Sequence, residues 1–204
     1  MTFHAKYAFA ALAFVSFAFA AGCDREPIHD VGPPYSPSTA AAKAIELFDA
    51  NNDGKIAGSE FDACPGLKAS LKVIGTDAEA GVTPEQIAAR VKKWCDLHVP
   101  RTSLACLVSY NGRPLADATV KFIPEKFLAD ALPDAATGKT NQHGLAMITV
   151  RYGEPGVPPG MYRVEITKDG EEIPAKYNTT TELGQEVSLD NPDLDFGVKF
   201  DLNY

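Results

Sequence analysis

Twelve consecutive residues constrain this chain more than any others: Asp49-Ala50-Asn51-Asn52-Asp53-Gly54-Lys55-Ile56-Ala57-Gly58-Ser59-Glu60. Asp49, Asn51 and Asp53 put side-chain oxygens on alternate residues, so a tight loop turns all three inward. Gly54, at the sixth position, permits the positive φ that a sharp turn needs. Lys55 offers its backbone carbonyl and can send its charged end away. Ala57, at the ninth position, has no side-chain oxygen, which leaves that corner to water. Glu60, at the twelfth, can reach back with both oxygens. A set of hard oxygens on one short loop suits a hard divalent cation, and calcium takes about six to eight such ligands at roughly 2.3–2.6 Å. The bland alternative is a solvated acidic turn.

With helical patterns on both sides, this loop resembles an EF-hand, whose consensus it matches at every position. A dockerin-like loop is less similar, because dockerins carry paired repeats and usually Asp at the twelfth position. The resemblance implies calcium as the cofactor, held by Asp49, Asn51, Asp53 and Glu60 and by the Lys55 carbonyl. Three carboxylates and an empty ninth position imply an affinity on the order of micromolar to near-millimolar. EF-hands pair, and aligning Val82 with Ile56 exposes a degenerate partner. It places Gly75, Asp77, Glu79 and Gln86 at the first, third, fifth and twelfth positions, with Ala80 where Gly belongs. That loop is expected to pair its backbone through Val82 rather than to hold an ion.

Residues 39–99 read as helical. Ala41, Ala44, Ile45 and Phe48 recur at helical spacing after Ser38 or Thr39 as cap. A short helix is expected over Ser59–Cys64, stopping at Pro65-Gly66, with further turns through Leu67, Leu71 and Ile74. Thr83-Pro84-Glu85-Gln86 announces another helix, with a Thr cap, Pro in the first turn and Gln three residues on. Its stripe of Ile87, Val91 and Trp94 is expected to pack against Phe48 and Phe61.

The N-terminus carries Lys6, an apolar run from Tyr7 to Ala21, and then Gly22-Cys23. The run is shorter than the roughly 20 residues of a membrane span and ends in small residues, as export signals do. Ala20-Ala21-Gly22-Cys23 resembles a bacterial lipobox with Ala in place of the usual leading Leu. It implies lipidation of Cys23 and a lipid-anchored, extracytoplasmic protein of the cell envelope. Plain secretion after Ala20 or Ala21, or an uncleaved anchor, are the alternatives. Residues 23–38, rich in proline, read as a linker. In an oxidising compartment disulfides persist. Cys64 and Cys95, each near a helix end, are the expected pair. Cys106 is expected as a buried thiol, in phase with Leu104 and Val108.

From Arg101 the pattern changes to short alternating runs between Gly, Pro and Asn turns, the pattern of an all-β sandwich. The expected strands are Leu104–Tyr110, Ala118–Ile123, Leu145–Tyr152, Tyr162–Lys168, Glu186–Leu189 and Phe196–Leu202, with a hairpin turn at Asn111-Gly112. The run from Asn111 to Pro124, Thr140-Asn141-Gln142-His143-Gly144 and Pro159-Gly160-Met161-Tyr162-Arg163-Val164 resemble the hairpin, turn and strand motifs of transthyretin-like, or carboxypeptidase regulatory-like, domains. With Ile173–Asn178 and Thr181–Val187, the chain is similar to small lipoproteins of planctomycete bacteria that join a lipobox to this β domain, some with an EF-hand between. The expected fold is therefore α+β: a signal peptide (1–22), a linker (23–38), an EF-hand pair with one intact loop (39–99), and a transthyretin-like sandwich (100–204).

The chain has 204 residues and a formal net charge of -8, which argues against nucleic acid as a partner. No catalytic constellation is apparent. His98 and His143 fall on a boundary and a turn, and the elbow, zincin and phosphate-loop motifs are missing. The chain ends in Asp201-Leu202-Asn203-Tyr204, not the Tyr-Arg-Gly-Ser of hydroxyisourate hydrolases, which share the transthyretin fold. Two functions follow as expectations. One is a non-catalytic calcium-binding envelope lipoprotein whose ion stabilises the helices. The other is a calcium-dependent module presenting its sandwich to an envelope protein or glycan.

Overall fold

The computed structural model describes residues 32–203 apart from Pro133. The expected signal segment and Cys23, the expected lipidation site, lie outside the described residues. The protein is mixed α+β, with short helices followed by two four-stranded sheets stacked as a sandwich.

Helix α1 (Pro37–Phe48) begins two residues before the expected start. Pro37 occupies its first turn, where the ring fixes a helical φ and the missing N–H costs nothing. Pro65 does the same for α2 (Pro65–Ala69), so a helix starts where the sequence suggested a stop. Helix α3 (Leu71–Ile74) is a single turn ending at Gly75. Helix α4 (Pro84–Leu97) carries the expected cap. The Thr83 hydroxyl accepts from the Gln86 N–H, and the Gln86 amide oxygen accepts from the Thr83 N–H at 2.9 Å. Ile87, Val91 and Trp94 are buried, as their spacing requires.

The first sheet is built on β1 (Leu104–Tyr110). It pairs antiparallel with β2 (Arg113–Pro114) and β5 (Leu145–Ile148), and in parallel with β8 (Val198–Leu202). Asn111 and Gly112 both have positive φ, 50° and 75°, as a two-residue hairpin turn demands. The second sheet runs β4 (Ala136–Lys139), β3 (Thr119–Pro124), β6 (Gly160–Thr167), β7 (Gly184–Val187), antiparallel throughout. A backbone bridge between Thr137 and Thr149 links β4 to the chain leaving β5. The expected fifth strand breaks after Ile148 into this bridge and a 3-10 turn at Arg151–Gly153. Between the sheets lie Cys106, Val108, Val120, Phe122, Ile148, Val164, Ile166 and Phe200. Cys106 is a buried thiol as expected, and burial pushes its pKa up to about 12.

The helices are not a free-standing module. One continuous apolar core runs through both segments. Helix α2 lies on β6 and β7 so closely that a Cβ on Gly184 would come within 1.8 Å of the Pro65 carbonyl oxygen. Phe48 meets Phe127 edge-on at 6.3 Å, and Tyr35 packs on Trp94 at 5.6 Å while its hydroxyl donates to the Pro159 carbonyl.

A buried polar seam crosses the same boundary. Arg90 of α4, 7% exposed, donates from Nε to Glu186 of β7 at 2.5 Å and forks onto both oxygens of Asp190 at 2.8 and 2.9 Å. The Trp94 indole N–H donates to the same Glu186 oxygen at 2.9 Å. Burial drives the Glu186 pKa upward against the opposing pull of Arg90, and the bonds from Arg90 bring Asp190 down to about 2. Removing one partner of a buried, hydrogen-bonded charge pair costs about 3–5 kcal/mol. Arg90→Ala should therefore lower the unfolding free energy by about that amount in urea titrations. A loss under about 1 kcal/mol, the usual worth of an exposed pair, would contradict this description of the seam.

Candidate functional site

The Asp49–Glu60 loop leaves α1 and ends inside a 3-10 turn, Gly58–Ala63. Its first half winds around its own oxygens. Asp49 accepts from the Asp53 N–H at 3.1 Å and the Gly54 N–H at 2.9 Å, Asn51 Oδ1 from the Asp53 N–H at 2.8 Å, and Asp53 Oδ1 from the Lys55 N–H at 3.1 Å. Gly54 has φ +87° with open space around its α-carbon, so backbone conformation alone calls for glycine there. Glu60 closes the loop. Its Oε1 accepts from the Ala50 N–H at 2.8 Å and the Asn51 N–H at 3.2 Å, and its Oε2 from the Ala57 N–H at 2.9 Å. The Lys55 ammonium points away and donates to the Ala80 carbonyl at 3.0 Å.

A second segment is stapled to this loop. Ile56 and Val82 form an antiparallel bridge with reciprocal N–H to carbonyl bonds of 3.0 and 2.9 Å, in the register read from the sequence. Gly81 is required by this approach, because a Cβ there would meet the Ile56 carbonyl oxygen at 2.7 Å. The Gly58 N–H donates to the Ala78 carbonyl at 2.7 Å. The degenerate loop spends three of its four candidate ligands on structure. Asp77 accepts from the N–H groups of Glu79 and Ala80, Gln86 belongs to the α4 cap, and Gly75 ends α3.

An open depression is lined by Asn51, Asp53, Lys55, Ala57, Glu60 and, from the second segment, Glu79. Among the described residues no three His, Cys, Asp or Glu side chains are gathered as a metal cluster. The donor chemistry nevertheless fits a hard cation. Every donor is an oxygen, and each ionised carboxylate has about four lone-pair sites, of which the N–H bonds occupy a part.

The expected Cys64–Cys95 disulfide is not formed; both are free thiols. Cys64 is buried beside Glu125, with its thiol toward the Glu60 carbonyl oxygen at 3.7 Å. Cys95 lies by Tyr35, with its thiol toward the Val91 carbonyl oxygen at 3.5 Å. Each is held within its own turn of chain, and nearness to a helix end did not bring them together. Tyr162 and Tyr177 are buried. Their hydroxyls bond the Pro158 carbonyl and Asn203, so neither offers a binding face. Thr140 is a buried staple, donating to the Leu115 carbonyl and accepting from the Ala118 N–H.

Sequence reasoning missed the polar seam. Its one legible sign is Arg90, a charge falling on the phase of the Ile87–Val91–Trp94 stripe. It also missed Glu125, 2% exposed, whose carboxylate accepts from the Gly66 N–H of α2 at 2.7 Å. Comparison with protein-family models, with curated proteins and with solved structures returns no match for this chain.

Burial raises the Glu125 pKa from 4.5 to about 7, against the opposing effects of the Gly66 N–H, Arg163 and Lys126. A carboxyl with a raised folded pKa favours folding in its neutral form. Its contribution is complete below about pH 4.5 and is lost as pH rises through 7. Glu125→Gln keeps the acceptor for Gly66 without the charge. It should match the wild type near pH 4.5 and exceed it by up to roughly 3 kcal/mol at pH 8.5. Paired urea titrations across that range check this; a difference independent of pH would contradict it.

Proposed function

We propose that the Asp49–Glu60 loop binds one calcium ion and that the ion stabilises the fold of a non-catalytic cell-envelope lipoprotein. The observation that carries this reading is the loop itself, a run of oxygen donors wound around Gly54 and closed by Glu60 across its ends. Asp49, Asn51, Asp53 and Glu60 would hold the ion with side-chain oxygens, and Lys55 with its backbone carbonyl. The ion would supply positive charge to a loop rich in carboxylates, and nothing in the reading asks it to activate a substrate. The Ile56–Val82 bridge supports a paired EF-hand arrangement with one working loop. The two stacked four-stranded sheets and their motif order support a transthyretin-like domain. The Ala20-Ala21-Gly22-Cys23 sequence supports lipidation at Cys23 and an extracytoplasmic place for the chain. Calcium is plentiful there, so a weak site can stay filled and stabilise by mass action.

A specific observation favours the second reading, a module that presents its sandwich to an envelope protein or glycan. Leu107, Leu145 and Met147 stand exposed on neighbouring positions of β1 and β5.

Isothermal titration of the protein with calcium tests the first reading. One saturable site with a dissociation constant below several millimolar is expected, abolished or weakened at least about tenfold by Glu60→Gln, which removes a charged ligand. No saturable binding, or unchanged binding in the variant, would refute it.

A further inference from the structure

We propose that β8 is a docking edge for a second copy of this chain. The two β8 strands pair antiparallel about Phe200, so that two sandwiches share one continuous sheet.

The other sheet margins are occupied or very short. Strand β4 is sewn to the chain leaving β5 by reciprocal Thr137–Thr149 bonds of 2.8 and 2.9 Å. Helix α2 packs on β7, where the Glu186 carbonyl accepts from the side-chain amides of Gln185 and Asn191. Strand β2 has only two residues. Strand β8 differs. It pairs with β1 along one side, from Val198 opposite Cys106 to Leu202 opposite Tyr110. The Leu202 carbonyl accepts from the Asn111 N–H at 2.8 Å, which turns Leu202 toward β1. Backbone groups alternate along a strand, so Val198 and Phe200 turn the same way. The N–H and C=O groups of Lys199 and Asp201 therefore point off the sheet, and no backbone partner meets them among the described residues. Such an edge is a template for another strand.

The charges on this edge choose the occupant. Lys199 and Asp201 are both exposed on the outer face, one on each side of buried Phe200. Antiparallel pairing about Phe200 sets Lys199 of each copy opposite Asp201 of the other, twice by symmetry. The same two positions carry the outward backbone groups, so each Lys–Asp pair is also a hydrogen-bonded pair of the ladder. Sliding by two residues would oppose Lys199 to Lys199 or Asp201 to Asp201, and in-register parallel pairing would oppose both, which is destabilising. A lysine alone on an edge wards off other strands. With Asp201 two positions on, this edge is complementary to itself. Asp201 is held in place, its Oδ1 accepting from the Ser109 hydroxyl at 2.5 Å, while Lys199 makes no ion pair among the described residues. Phe196, two residues before β8 and 92% exposed, lies in this register beside the end of the second copy's strand. An edge of 5 residues is small, so the dimer is weak, with a dissociation constant on the order of 10–100 µM.

Sedimentation of the full chain across a concentration series, with hydrogen exchange read at single amides, tests the pairing. The wild type is expected to pass from monomer to dimer, and the Lys199 and Asp201 N–H groups to gain protection as the dimer fills. Lys199→Asp and Asp201→Lys are each expected to weaken the dimer about tenfold or more, because two attractive pairs become repulsive. Both side chains are exposed, so the fold should persist, which circular dichroism checks. The double swap, Lys199→Asp with Asp201→Lys, restores both pairs and is expected to return to within about threefold of the wild type. An equimolar mixture of the two single variants is expected to form a heterodimer tighter than either homodimer. A wild type that stays monomeric up to about 1 mM would overturn the proposal. So would an oligomer indifferent to both reversals, which joins through another face, and so would a swap and a mixture that fail to recover, which refutes the register. Protection of the Lys199 and Asp201 N–H groups at every concentration would place a segment of the chain itself on the edge and overturn it as well.

Discussion

Arg90 sits where the two halves of this chain become one protein. It leaves α4 on the buried side of the helix, meets Glu186 of β7 at 2.5 Å and forks onto Asp190. Charges removed from water are costly unless they are hydrogen-bonded, and here Trp94 and the second carboxylate supply further bonds, while Glu186 Oε2 stays buried without a hydrogen-bond partner. The geometry fixes both position and angle, because a guanidinium fork meets a carboxylate in a plane. Around this point there is little slack. Gly66 and Gly184 are the only residue type that fits, and Glu125 caps the start of α2 from the sandwich side.

This seam changes what an ion at the Asp49–Glu60 loop would accomplish. Helix α1 enters the loop and packs on α4, and α4 carries Arg90 and Trp94. The Ile56–Val82 bridge ties the loop to the segment that leads into α4. Order imposed at the loop is therefore shared with the whole chain and not confined to a few helical turns. The helical segment need not depend on calcium for lack of core, since it borrows the core of the sandwich.

Much of this was legible in the sequence where local chemistry dictates conformation. The Thr83 cap, the Asn111-Gly112 turn, the β1 limits and the Ile56–Val82 register followed from residue type and spacing. Strand β4, Ala-Thr-Gly-Lys, gave little sign of itself because it has only Thr as a strand-forming residue and is formed by its pairing with β3. The helix starts at Pro37 and Pro65 were misjudged because proline both opens and ends helices, and only the surrounding packing decides which. The Cys64–Cys95 pairing failed for a related reason, since the relative placement of two thiols depends on tertiary geometry that spacing does not contain. Of the loop, the donors and their order were legible, while the engagement of Glu60 with three backbone N–H groups was not.

The central claim is that calcium bound at this loop stabilises the chain as one cooperative unit. Differential scanning calorimetry in excess chelator and in calcium at about 100 times the dissociation constant addresses it directly. Such an excess adds about 2.7 kcal/mol to the folded state, which for a chain of this size raises the midpoint by roughly 5–10 °C. The account predicts a single transition that moves upward as a whole. A midpoint indifferent to calcium would contradict it. So would a split in which only a small helical transition moves and the sandwich melts unchanged.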